Sequence, residues 1–296
     1  RRSSDLHNGE FARMTRVIIL DIGWLPARFD ETVGDITMAG LPGFDEALSI
    51  IKESDMVEKD WIYAPPQMRH VMGHGDRTLP YAGRVFGLPK THRLTHASAD
   101  SKEHMEFLVW SLSFIFGLRL TSTEAGFLDA TPIQTGKMTD FGQTPGKQKR
   151  AVALAERFWQ ANAAKPSRVK RWGAAVHALM LGQGPQLLQF ERFIYLYGAL
   201  DACFALAKDL LGAEAGPRIP HAGRIAWMCR QFDMPVPDWA DETTGGSSLV
   251  ADVRNPTLHE SLFMDAPLGF ALHGGSTRAN LTLEMEAMIC RLLVAL

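Results

Sequence analysis

The run Phe107–Leu120 (FLVWSLSFIFGLRL) constrains this chain most. Its apolar residues cover nearly every face of a helix rather than one stripe, so the segment has to be buried inside the fold. It holds about 14 residues against the roughly 20 of a membrane-spanning helix, and it includes Ser111, Ser113 and Arg119. With Ser101-Lys102-Glu103-His104 opening it, one buried helix is expected over Ser101–Leu120.

That helix separates two patterns. Upstream, Pro and Gly break the chain at Leu41-Pro42-Gly43, Pro65-Pro66, Gly73-His74-Gly75, Leu79-Pro80 and Leu88-Pro89. Short apolar segments lie between them, such as Val17–Leu20 and Arg84–Leu88, and read as strands. One helix is expected there, over Phe44–Ser54, from apolar residues at 44, 47, 48, 50 and 51. Downstream, helices are expected over 148–163, 168–182, 186–211, 218–232 and 279–296, joined by short Gly/Pro loops, as in an antiparallel bundle. Residues 121–147 are rich in Thr, Gly and Pro and read as the connection. The expected fold is α+β overall. An N-terminal mixed α/β domain over residues 1–146 senses or regulates, and an all-α bundle spans residues 147–296.

Composition narrows the function classes. The net charge is −2, so no global basic field advertises nucleic acid. Cys203, Cys229 and Cys290 form no CxxC, which argues against a disulfide scaffold or a cysteine-rich zinc site and fits a reducing compartment. Arg1–Gly9 is polar, lacks the apolar core of a secretory signal and reads as a disordered lead-in. A cytoplasmic, soluble protein with no membrane partner is expected. There is no G-x-S-x-G elbow, P-loop or dinucleotide fingerprint, so no cofactor is expected.

Locally the charge is uneven. Residues 137–192 carry ten Lys/Arg and three acids, a surplus of seven, with Phe158, Trp159 and Trp172 interleaved. Lys147, Lys149, Arg150, Arg168, Lys170 and Arg171 are the candidates to guide an RNA strand along such a face. Five histidines fall between 70 and 104: His70, His74, His92, His96 and His104. Two pairs have H-x3-H spacing, but Gly and Pro break the helical setting that zinc ligands at this spacing need. They are expected to be surface loop residues, with no metal bound.

The sharpest local feature is Arg254-Asn255-Pro256-Thr257-Leu258-His259. Asn255 and Pro256 read as N-cap and first residue of a helix, with Arg254 just before it and His259 at the end of its first turn. A helix N-terminus attracts anions. A guanidinium and a neutral imidazole there suit phosphoryl transfer: the imidazole takes a proton from a ribose 2′-hydroxyl and the guanidinium steadies the phosphate oxygens. The nucleophile belongs to the substrate, so no metal is required. Arg-x4-His also occurs at Arg2…His7 and Arg69…His74, so context has to choose. Context favours the third, which follows a helix whose apolar stripe Phe190, Ile194, Tyr197, Phe204 includes Asp201. A carboxylate in a stripe needs a partner, and an Arg on a neighbouring helix supplies one.

Phe190–Phe204 (FERFIYLYGALDACF), Arg224–Phe232 (RIAWMCRQF) and Arg254–His259 (RNPTLH), in this order, resemble a HEPN domain, more narrowly that of ApeA-type anti-phage proteins. Phe107–Thr121 resembles the end of the N-terminal domain of such proteins. The resemblance covers roughly residues 100–296. It implies a four-to-five-helix bundle that forms a homodimer with its motif helices facing each other. It also implies a metal-independent endoribonuclease of phage defence or of toxin–antitoxin stress response. Carried across, Arg254 and His259 are the catalytic pair, Asn255 orients the histidine or the phosphate, and Asp201 holds Arg254. Pro256 departs from the ordinary helix formers usual at the motif's centre and is expected to kink or start the helix. The alternative is a non-catalytic HEPN-like module that binds RNA or protein, or dimerises.

Overall fold

The computed structural model describes residues 16–124, 126–128, 130–136, 145–212, 216–242, 246–260 and 279–296. The lead-in Arg1–Gly9 and, within the connection between 121 and 147, residues 125, 129 and 137–144 lie outside them. In chain order the first half runs β1 Arg16–Ile22, β2 Glu31–Val33, β3 Ile36–Gly40, α1 Phe44–Lys52, β4 Val57–Glu58, β5 Trp61–Tyr63, β6 Pro66–Val71, β7 Gly75–Ala82, β8 Val85–Phe86 and β9 His92–Ala99. Then come α2 Lys102–Phe116, β10 Phe127–Leu128, β11 Ala130–Pro132, α3 Pro145–Asn162, α4 Pro166–Gly182, α5 Gln189–Leu210, α6 Arg224–Gln231, α7 Leu249–Asn255 and α8 Ala279–Ala295. The chain is α+β: strands and helices first, and helices alone from α3 onward among the described residues.

The main sheet has the order β1-β9-β3-β2, every pair antiparallel. β9 sits centrally and alternates: His92, Leu94 and His96 face inward while Arg93 and Ala97 face out, as the two-residue period of a strand requires. His92 and His96 are therefore buried core residues, and His104 on α2 is buried with them. Only His70 and His74, on and beside the β6–β7 hairpin, are exposed, so the expectation of surface histidines fails for three of the five.

α2 is the buried helix that the apolar run requires. Ser101 caps it, its hydroxyl accepting from the His104 N–H at 3.1 Å; Gly117 ends it in the left-handed region, where glycine pays no steric cost. One side, including Met105, Leu108 and Leu112, packs with Ile22, Met38 and Leu94 of the sheet. Phe107 and Phe114 instead join Trp159, Trp172, Phe193 and Leu200 in the core of the helical half.

Candidate functional site

The candidate residues gather where α5, α6 and α7 meet. Tyr197 and Asp201 lie one turn apart on α5 and so share a face. Arg224 opens α6, just after a 3-10 turn over His221–Gly223. Arg254 and Asn255 close α7. That helix starts earlier than expected, after Ser248, because Val250, Ala251 and Val253 offer a buried face seated on the bundle. Asn255 is therefore the last residue of α7 and not an N-cap, Pro256 keeps helical dihedrals, and no helix N-terminus stands at Arg254 and His259 to attract an anion.

Pro256–Glu260 continue as one π-helical turn. Proline has no N–H and its ring collides with the carbonyl four residues back, so the regular α ladder cannot run through residue 256. The wider turn changes what spacing means. At 100° per residue, side chains five apart on an α-helix point about 140° away from each other. The i→i+5 closure of a π turn stacks them instead. Arg254 Nη1 accordingly donates to His259 Nε2 at 2.7 Å and to Asn255 Oδ1 at 2.9 Å. Arginine only donates, so His259 Nε2 presents a lone pair. His259 and Asn255 are exposed and Arg254 is half-buried, its guanidinium 5.6 Å above the ring of Tyr197.

Asp201 does not hold Arg254. Its Oδ1 accepts from Arg224 Nη1 at 2.7 Å, and Arg224 also stands 4.8 Å over the Phe204 ring. Arg224 is the nearer cation because α6 packs directly beside that face of α5. His221 was not foreseen. Its Nδ1 lies 2.6 Å from the Tyr197 hydroxyl and 4.0 Å from Asp201 Oδ1. Burial first, then the charges of Arg224 and Arg254, lower its pKa. Burial above all pushes the Tyr197 phenol up to about 12. Tyr197 therefore stays protonated, donates to a neutral His221, and fixes that ring. His221, Arg218, Arg224, Ser247 and Asn255 line a cleft of about 530 Å³.

The basic stretch does not form one face. Arg168 gives Nε to Asp209 Oδ1 at 2.8 Å and Arg171 gives Nη1 to Oδ2 at 3.0 Å, so both fasten α4 to α5. Lys149 pairs with Glu31 at 2.6 Å. Lys147 and Arg150 rim a groove walled by Phe114, Ile115 and Leu293, whereas Lys170 lines a separate hollow beside Trp110 and His177. Trp159 and Trp172 are buried in the helical core and offer no stacking platform.

Compared with protein families, curated proteins and solved structures, the chain matches none of them. None of its helices is long and apolar enough to cross a membrane among the described residues.

Proposed function

We propose that this chain is an endoribonuclease of HEPN type, working as a homodimer in phage defence or in a toxin–antitoxin stress response. The contact between Arg254 and His259, 2.7 Å apart on an exposed turn beside a cationic cleft, carries the reading. A phosphodiester entering from the cleft meets Arg218 first. It then draws the Arg254 guanidinium off His259, since a phosphate anion is a stronger acceptor than a neutral imidazole. That frees Nε2 to take the proton of a ribose 2′-hydroxyl. The deprotonated oxygen attacks the adjacent phosphorus, the 5′-oxygen leaves and takes a proton from water, and Arg254 with Asn255 steadies the charge on the phosphate oxygens.

The products are a 2′,3′-cyclic phosphate and a 5′-hydroxyl. Single-stranded RNA incubated with the full chain is expected to yield those ends, and His259→Ala and Arg254→Ala each to abolish them. Cleavage that survives His259→Ala, or products ending in 3′-hydroxyl and 5′-phosphate, would remove this mechanism. A second reading, a module that binds without turnover, is favoured by the way Arg254 and His259 satisfy each other. It predicts RNA retention by the wild-type chain with no cleavage.

A further inference from the structure

His96 on β9, His104 in the first turn of α2 and Glu156 on α3 converge far from Arg254 in the chain, and the endonuclease reading gives them no task. One ligand atom from each lies within 4.8 Å of the other two. The two imidazoles are 2% and 3% exposed, and the Glu156 side chain 18%. His104 Nε2 is 2.7 Å from Glu156 Oε2, and His96 Nε2 is 3.4 Å from the same oxygen. The rings are preorganised: His104 stacks flat on Trp159 with centroids 4.6 Å apart, and His96 leans on His104 at the same separation.

The decisive geometry is on the other side of His104. Its Nδ1 faces Asp100 Oδ1 at 3.4 Å, and Asp100 is itself held by the Trp159 indole N–H at 3.1 Å and the Ser101 hydroxyl at 3.0 Å. Both ring nitrogens thus face carboxylates, which accept and do not donate. A neutral imidazole has one proton for two such neighbours. A cation on Nε2 resolves this, because Nδ1–H then donates to Asp100, the carboxylate–histidine–metal arrangement that orients metal-bound imidazoles.

We propose that His96 Nε2, His104 Nε2 and Glu156 bind a divalent first-row transition metal, zinc foremost, with water completing the shell from the side on which Glu156 is exposed. Two imidazoles and a carboxylate suit zinc and its neighbours and do not suit calcium or magnesium. His96 Nδ1 now accepts from the Ser98 N–H at 3.2 Å, so ligation through Nε2 requires the other tautomer, with the proton on Nδ1, and gives up that contact. The ion fastens α3, the first helix of the helical half, to the sheet and to α2.

Cobalt(II) is the probe, added to the chelator-dialysed full chain. One ion per chain is expected, with the intense visible bands of a four-coordinate site, displaced by zinc and accompanied by a raised melting temperature. Glu156→Gln and His104→Gln are expected to lose cobalt at micromolar metal. Asp100→Asn is expected to weaken it about 10- to 100-fold, the usual cost of a lost outer-sphere partner. His70→Ala and the pair Arg254→Ala/His259→Ala are expected to bind like wild type, which separates this site from RNA cleavage. The proposal falls if the wild-type chain binds neither cobalt nor zinc. It falls equally if binding survives His104→Gln and vanishes in His70→Ala.

Discussion

At the scale of single residues, the site divides its cations between two jobs. Arg224 is committed to Asp201 at 2.7 Å, while Arg254 makes no ion pair of its own among the described residues and meets Asn255, His259 and Tyr197. Asp201→Asn is therefore expected to loosen α6 on α5 and leave the Arg254–His259 contact in place. About 1 kcal/mol of stability is at stake, the scale of a partly exposed pair. Urea unfolding should register that loss while RNA cleavage stays within a few-fold of wild type. A collapse of cleavage to the level of Arg254→Ala would mean that Asp201 holds Arg254 after all. The sequence showed that a carboxylate in the Phe190–Phe204 stripe needs a partner, but not which arginine supplies it. Arg218, Arg224, Arg230 and Arg254 were all available, and only the packing of α6 against α5 chooses among them. His221 was harder to see, because a lone histidine between Pro220 and Ala222 follows no pattern until Tyr197 is placed against it.

At the scale of elements, periodicity found what is long and regular. α2, α3, α4, α5 and α8 stand close to where apolar spacing and Gly/Pro breaks place them, and β1 and α1 likewise. β10 and β11, of two and three residues, were invisible inside a stretch read as connection. α6 came out shorter than 218–232, since Pro220 and a 3-10 turn occupy its expected first turns. The motif turn misled for a physical reason: Asn-Pro is a good helix start, yet Pro256 also fits helical dihedrals when its missing N–H is bridged by a wider turn. Pro256→Ala restores a donor and lets that turn relax to α. Arg254 and His259 then swing roughly 140° apart. Cleavage is expected to fall at least tenfold, while the melting temperature holds or rises. Unchanged cleavage would show that the π turn is not what aligns the pair.

At the scale of the whole molecule, α2 decides how the two halves answer to each other. Its Leu108 and Leu112 belong to the sheet core, and its Phe107 and Phe114 to the helical core. Phe107 stacks on Phe158 at 5.6 Å and meets Trp172 edge-on at 5.4 Å, so it is one of the side chains through which α2 leans on α3 and α4. Removing that ring leaves a cavity that close-packed neighbours cannot fill, at a cost of about 3–5 kcal/mol for Phe→Ala. Because α2 cannot melt without opening both cores, the loss in Phe107→Ala should not stay local. Tryptophan near-ultraviolet circular dichroism reports chiefly on the helical core, where Trp159, Trp172 and Trp239 are buried. Hydrogen exchange at β9 reports on the sheet. Both are expected to shift together to lower denaturant in Phe107→Ala, with one transition in the wild-type chain. Two separate transitions, with β9 protected after the tryptophan signal is gone, would show that the helical half unfolds on its own and that α2 goes with the sheet.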